Sequence, residues 1–330
     1  MVGRVMALAV ASAASAAAQG VEQVGTRALG MGGAFVAVAS DASATYWNPA
    51  GLATGDLFSL VVEHQIHETP PADDTPGKSS ASRGSGTGVA VGMPALGLSY
   101  YRVRTAAVSQ PGSGSPGTTA AEDATLSSLV TSHVGLSLLQ SVTDWLVVGS
   151  TLKLTRGSTA AAMTSVEADA DALLDQAEDL ERGSESAFDM DVGVMVSRPY
   201  FRVGLVVRQL LEPSFARADG TEVALERQVR AGAAVFAARG LTVAADVDLT
   251  RIETFSGARR SVALGGEYWL PGGWLGLRGG GRRSTIGEAR PVGSAGFSVA
   301  LTESLLVDGQ WTRGGVGADR SWGIGGRFAF

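Results

Sequence analysis

Residues 241–250 read Leu-Thr-Val-Ala-Ala-Asp-Val-Asp-Leu-Thr. Leu241, Val243, Ala245, Val247 and Leu249 share one parity, and Thr242, Ala244, Asp246, Asp248 and Thr250 share the other. Successive side chains of an extended chain point to opposite faces, so this segment has one oily face and one face carrying two carboxylates. The same pattern recurs where Phe188, Met190, Val192, Val194 and Val196 oppose Asp189, Asp191 and Gly193. It recurs again from Phe201, where Val203, Leu205 and Val207 oppose Arg202, Gly204 and Arg208. A strand with lipid on one side and water on the other needs this alternation over roughly ten residues.

From Gly55 onward the chain divides into about fourteen such segments, near 56–68, 84–93, 95–108, 124–140, 143–158, 186–198, 200–212, 225–238, 240–253, 258–271, 273–286, 290–301, 304–315 and 318–330. Tight turns fall at 93–95, 141–144, 198–200, 239–240, 271–273 and 302–304, and the connections between them are mostly longer and more polar. Outer-membrane barrels have short periplasmic turns and longer external loops. The pattern therefore predicts an all-β, up-and-down antiparallel transmembrane β-barrel in the bacterial outer membrane, with both termini periplasmic. The last segment puts Trp322, Ile324, Phe328 and Phe330 on one face and ends the chain on an aromatic ring. That ending resembles the signal read by the bacterial outer-membrane assembly machinery. A soluble β-sandwich also alternates, but it needs neither the terminal aromatic nor the short-long rhythm.

Composition agrees with this class. Mean hydropathy is +0.16, high for a soluble protein, yet beyond the N-terminus no run reaches the ~18 apolar residues of a membrane-spanning helix. There is no cysteine, which excludes a disulfide framework and a thiolate metal site. The 45 glycines suit tight turns and close strand packing better than helices. A net charge of −6 speaks against nucleic acid as a partner. At the N-terminus Arg4 precedes an apolar run over 5–11 and a stretch of alanine and serine, the layout of a signal peptide. Small residues at Ala16 and Ala18 place cleavage after Ala18; an uncleaved anchor is the alternative. The predicted organisation is thus 1–18 signal peptide, 19–55 N-terminal hatch and 56–330 barrel.

Between the leader and the first strand stand Gly25-Thr26-Arg27-Ala28-Leu29-Gly30-Met31-Gly32-Gly33-Ala34-Phe35 and Tyr46-Trp47-Asn48-Pro49-Ala50-Gly51-Leu52. This stretch resembles the N-terminal segment of the FadL/TodX family of outer-membrane transporters and their PorV-like relatives. The resemblance covers about residues 25–53 and implies a fourteen-stranded barrel closed on its periplasmic side by a hatch. The family's Asn-Pro-Ala motif matches Asn48, Pro49 and Ala50. The residues carry a physical reading of their own. Gly30, Gly32 and Gly33 allow sharp turns or close approach to a wall, and Asn48 before Pro49 favours a turn. A phosphate-binding glycine loop is the competing reading, but the dinucleotide spacing and its strand-helix context are missing.

Alternation sends Lys153, Arg202, Arg208, Arg230, Arg278, Arg282 and Arg327 into the lumen beside Asp189, Asp191, Asp246, Asp248, Glu267 and Asp308. The signs nearly balance, whereas an ion-selective pore presents rings of one charge. The expectation is a paired network that braces the wall and holds the hatch, with a polar substrate path as the alternative. The pairs Asp189/Asp191 and Asp246/Asp248 could hold a hard cation, but lumenal arginines satisfy them equally well, so no metal is assigned. His64 and His67 fall on opposite faces of a strand, and His133 stands apart. No Gly-x-Ser-x-Gly elbow or other catalytic grouping is present, so neither an enzyme nor a cofactor is expected.

The longest external connection contains a predicted helix over 166–182, with Leu173, Leu174 and Leu180 in its apolar stripe and Thr164 and Glu167 at capping-box spacing. It is expected to lie over the barrel mouth as a lid, with a hydrophobic ligand beneath the stripe or a protein docked on it as further possibilities. The stretches 70–86 and 110–119 read as external loops. The resemblance implies a channel for hydrophobic or amphipathic, fatty-acid-like small molecules, embedded in outer-membrane lipid. A PorV-like accessory barrel that binds exported proteins is the second possibility, and a purely structural barrel the third.

Overall fold

The computed structural model describes residues 24–71, 81–109, 123–165, 170–180, 183–216, 222–237, 240–254, 257–287, 290–315 and 318–330. The predicted leader, the 110–119 loop, much of the 70–86 loop, part of the 239–240 turn and both flanks of the predicted helix, Glu167 included, lie outside the described residues.

Fourteen strands close into one barrel, each antiparallel to its neighbours. In chain order they are β1 Ser59–Thr69, β2 Ala81–Met93, β3 Leu96–Ser109, β4 Asp123–Thr143, β5 Leu146–Ser165, β6 Gly183–Ser197 and β7 Phe201–Arg208. They continue with β8 Gln228–Ala237, β9 Leu241–Asp248, β10 Ser261–Trp269, β11 Leu275–Ser284, β12 Val292–Ala300, β13 Leu305–Gly314 and β14 Arg320–Ala329. The seam joins β1 to β14 in the register Ser59↔Ala329. Beyond it Phe58 and Phe330 exchange backbone hydrogen bonds of 3.1 Å and stack their rings 5.3 Å apart. The terminal aromatic therefore seals the ladder at its last rung.

The wall inverts the usual distribution of polarity. Val243 is 44 % exposed on the outer face of β9, while Asp246 on the inner face is 4 % exposed. Leu98, Val134, Leu154, Leu264 and Ile324 are likewise outward and exposed. Only a hydrocarbon solvent makes such a surface favourable, and a closed barrel leaves no strand edge unpaired inside it. Trp145, Tyr200, Tyr268, Trp274 and Phe328 stand exposed near the short-turn end, and Trp311 faces Trp322 across β13 and β14 toward the other end. Such aromatic girdles mark membrane interfaces. No described helix is long and apolar enough to cross a membrane.

Strand lengths differ sharply around the barrel. The strands β7 to β14 have eight to ten residues, whereas β4 has 21 and β5 has 20. Strand β5 outruns the predicted 143–158 by seven residues at the long-loop end, whereas β4 exceeds the predicted 124–140 mainly at the short turn. Over 159–165 the sequence is Thr-Ala-Ala-Ala-Met-Thr-Ser, in which alternation has vanished, so pairing across β4 and β5 carries the strand on without a readable pattern.

The helix α1 Thr26–Gly30 and helix α2 Ala44–Trp47 belong to the N-terminal segment, and α3 Ala170–Asp179 to the β5–β6 connection. Helix α3 does not lie over the mouth. Leu173 and Leu174 pack with Ala81, Ala106, Val108, Ala124 and Leu126, and Leu180 flanks the same cluster. Register places those partners on the outer parity of β2, β3 and β4, opposite to the inward Ser82, Thr105 and Leu129. The outer faces there are rich in alanine, which leaves room for a helix to pack closely, and Arg83 on the same face binds Asp171 at 2.9 Å and Asp175 at 2.8 Å. The helix thus buttresses the outside of the tall wall.

The mouth is covered instead by a hairpin of Ser214–Ala216 and Glu222–Ala224 in the β7–β8 connection. Phe215 and Val223 are buried. Val223 packs on the inward Leu129, and Phe215 lies so close to Gly157 that a β-carbon there would stand 2.4 Å from the ring. A second hairpin, Ile252–Thr254 with Gly257–Arg259, forms in the β9–β10 connection.

Candidate functional site

Residues 24–54 fold inside the short-turn end of the barrel. Their own core joins Met31, Phe35, Trp47 and Leu52 to Ala234 and Ala244 of the wall, with Phe35 and Trp47 edge to face at 5.9 Å. Gly32 and Gly33 have φ of 70° and 87°, which lets the chain reverse after α1 where a side chain would be strained. A β-carbon on Gly32 would also meet the Gly281 amide at 2.5 Å.

Asn48 is fully buried and ties three backbones together. Its Nδ2 donates to the Val36 carbonyl at 3.1 Å and to the Val194 carbonyl of β6 at 3.3 Å, and its Oδ1 accepts from the Ala50 amide at 3.2 Å. The last bond caps the 3₁₀ helix Pro49–Thr54, where proline occupies the first turn and lacks a donor to satisfy. The wall is cut away to receive the motif. A β-carbon on Gly193 would stand 2.1 Å from Asn48 Oδ1, one on Gly149 2.6 Å from the Ala50 amide, and one on Gly204 2.9 Å from Asn48 Nδ2.

Charges moor the rest of the segment. Glu63 on β1 accepts from the Gly25 and Thr26 amides at 2.7 Å each, and Asp246 on β9 accepts from the Phe35 and Val36 amides at 2.8 and 2.9 Å. A closed circuit of alternating ions runs from Arg27 to Glu267 (2.6 Å), Arg278 (2.8 Å), Asp308 (2.9 Å), Arg327 (3.5 Å), Asp41 (3.5 Å) and back to Arg27 (3.1 Å). Two members come from the hatch and four from β10, β11, β13 and β14. Burial works against the Asp41 charge, but Arg27, Arg327 and the Ser43 hydroxyl hold its carboxyl below the usual carboxylate range. Three cations and three anions leave the circuit neutral, which is what makes such a buried group tolerable.

The remaining lumenal residues divide among other tasks. Lys153 bridges Asp189 at 2.8 Å and Asp191 at 2.7 Å. The same two carboxylates accept from the Leu211 and Gln209 amides at 3.3 and 3.0 Å, so this cluster anchors the turn that leads into the mouth hairpin, not the hatch. Gln209 and Glu212 in that turn have φ of 49° and 51°. Arg230 pairs with Asp248 at 2.6 Å, and Arg282 reaches Asp319 at 3.3 Å. Arg208 bonds Gln228 and lies 4.7 Å over the Tyr46 ring. Arg202, near the short-turn rim, lies 4.7 Å over Phe236. Among the described residues no group of three or more His, Asp or Glu side chains could hold a metal ion.

Sequence reasoning did not single out Arg27, Asp41, Glu63, Asp319 or Tyr101, whose hydroxyl meets Thr45 at 2.9 Å. Glu63 shares the inward parity of Val61 and Gln65 and was findable on that ground. Arg27 lies in the short helix α1 and Asp41 in irregular backbone, where strand parity says nothing.

A fourteen-stranded barrel plugged by its own N-terminal segment and covered by a hairpin defines the class: the fold is that of the FadL-like channels. Among solved structures, the CymD monoaromatic hydrocarbon channel aligns with a TM-score of 0.65 at 14 % identity over 93 % of this chain and 98 % of that one. The toluene transporter TbuX of Ralstonia pickettii gives 0.59 at 15 % over 94 % and 99 %, and a Pseudomonas aeruginosa FadL homologue gives 0.61 at 11 % over 94 % and 99 %. A comparison with curated proteins finds no match. By sequence, the family described as "F plasmid transfer operon, TraF, protein" matches residues 79–248, and the chain belongs to that family.

Proposed function

We propose that this protein is an outer-membrane channel that admits hydrophobic or amphipathic small molecules, with both termini in the periplasm. The observation that carries this reading is that the protein itself fills both ends of the lumen. The hatch occupies one end, and a hairpin that buries Phe215 and Val223 occupies the other. An open aqueous pore has no use for an apolar cover, and a charge-selective one would not pair its lumenal ions with one another. A molecule that partitions onto apolar surface, in contrast, can exchange with Phe215 at the mouth. The CymD and TbuX channels, whose names specify monoaromatic hydrocarbons and toluene, share the fold. In this reading Asn48, Gly193 and the ion circuit keep the hatch seated, and no cofactor is used.

The test compares uptake of a labelled fatty acid and of toluene by cells with and without the protein, after fractionation has located the barrel. Faster uptake that saturates supports a channel; equal rates from an outer membrane that contains the folded barrel overturn it. A second reading rests on the family description, which refers to a plasmid transfer operon. It makes the barrel an accessory to a transfer assembly of the cell envelope. A stoichiometric protein cross-linked to the barrel in intact membranes supports it, and recovery of the barrel alone counts against it.

A further inference from the structure

The outer face of the tall wall carries charges that neither the hatch nor the lumen uses. Along the outward parity of β3 the order is Leu98, Tyr100, Arg102, Arg104, and on β5 Leu154 is followed by Arg156. Arg102 and Arg156 both pair with Ser132 of β4, one from each side. They therefore stand on one hydrogen-bonded row two strands apart, about 10 Å between backbones, with Arg104 one step farther along the same face. All three are exposed.

Their neighbours are treated differently. Arg83 on β2 is neutralised by Asp171, Asp175 and Glu178 of α3, and Arg320 by Glu68. Arg156 bonds the Ser184 hydroxyl at 2.8 Å, but among the described residues none of Arg102, Arg104 and Arg156 has a carboxylate partner. Three like charges on one face repel one another unless an anion sits among them. Guanidinium groups suit a phosphate in particular, because their fork donates two parallel hydrogen bonds.

The surroundings select the kind of anion. On the membrane side of the cluster the same strands expose Leu98, Val134 and Leu154 to 51, 57 and 55 %, a surface for acyl chains. On the other side a pocket of about 320 Å³ opens under the end of α3, lined by Ile66, Arg83, Arg104, Ala106, Val130 and Glu178. Apolar wall, cationic step and roofed pocket follow one another along the strands.

We propose that Arg102, Arg104 and Arg156, with the hydroxyls of Ser132 and Ser184, bind the phosphate groups of a phosphorylated glycolipid of the outer leaflet. Its chains lie on Leu98, Val134 and Leu154, and its headgroup is held beneath α3. The site rests on the reading that the barrel spans the outer membrane with its long loops outward.

Native mass spectrometry of the full-length, folded barrel tests it with bisphosphorylated lipid A against the same lipid stripped of phosphate. Wild type is expected to retain the phosphorylated lipid at least tenfold more strongly, and R102Q/R104Q/R156Q to lose that preference while migrating as a folded barrel in unheated gels. R283Q, which removes an outward arginine from β11, should keep it. Equal retention of both lipids, an unchanged preference in the triple variant, or displacement by inorganic phosphate at matching concentration overturns the site. Cell fractionation separates the two failures: a barrel absent from the outer membrane defeats the premise and the channel reading together, while a barrel that is present but indifferent to phosphate defeats the lipid site alone.

Discussion

Replacing Gly193 with alanine should unseat the hatch through Asn48. The new methyl group would stand 2.1 Å from Asn48 Oδ1, and the Asn48 side chain is enclosed by Val36, Ala50 and Val194 with no room to retreat. It must surrender its three hydrogen bonds, each worth about 1 kcal/mol net, so the seated hatch loses about 3 kcal/mol, or roughly two orders of magnitude in population. The barrel ladder is unaffected, because Gly193 pairs through its backbone with Gly149 and Val206. The assay is hydrogen exchange of residues 24–54 in the folded barrel, with unheated gel mobility as the control for the wall. N48A should produce a loss of similar size. On the N48A background, G193A should cost less than it does alone, because Asn48 Oδ1 is gone while Pro49 Cδ still stands 2.9 Å from the new carbon; the two effects should fall short of additive in a double-mutant cycle. Should the two substitutions add, or should exchange in G193A match wild type, the slot is not what seats the motif.

Three further outcomes are expected. Glu267→Ala strips one anion from the circuit and leaves Arg27 and Arg278 short of a partner, a change that costs about 3–5 kcal/mol in buried pairs; protease cleavage within residues 24–54 should accelerate while the barrel resists. The Asp41 carboxyl is held below its usual range, so its contribution is complete above its unfolded value of about 3.9 and is lost as pH falls through the lower folded value. The difference in hatch protection between wild type and D41N, in which the intrinsic pH dependence of amide exchange cancels, should accordingly be constant from neutral pH to about 5 and shrink in stronger acid. In a barrel whose hatch is unseated by N48A, replacing the mouth hairpin 214–224 with a short Gly-Ser linker should raise single-channel conductance in planar bilayers, whereas deleting α3 should not, because α3 lies outside the wall; the reverse result would return the helix to the mouth.

The sequence by itself determined the barrel. Lipid and lumen differ so strongly in polarity that each spanning segment records its two faces in alternate residues, as 241–250 does with five apolar positions against Thr242, Asp246, Asp248 and Thr250. Turn lengths recorded the hairpin order in the same local way, and the Asn-Pro-Ala motif marked the hatch because its turn chemistry is local too. Only the tertiary structure decided what lies far apart in the chain. Arg27 meets Glu267 across 240 residues, and Gly193 is needed because Asn48 occupies its side-chain space, neither of which leaves a periodic trace. Helix α3 has the same apolar stripe whichever surface it covers; its place outside the wall follows from the small residues Ala81, Ala106 and Ala124 on β2–β4 and from Arg83. The hairpin over the mouth was invisible for the converse reason: its strands of three residues are too short to show a period, and they form because the tall faces of β4 and β5 present Leu129 and Gly157 for Val223 and Phe215 to fill.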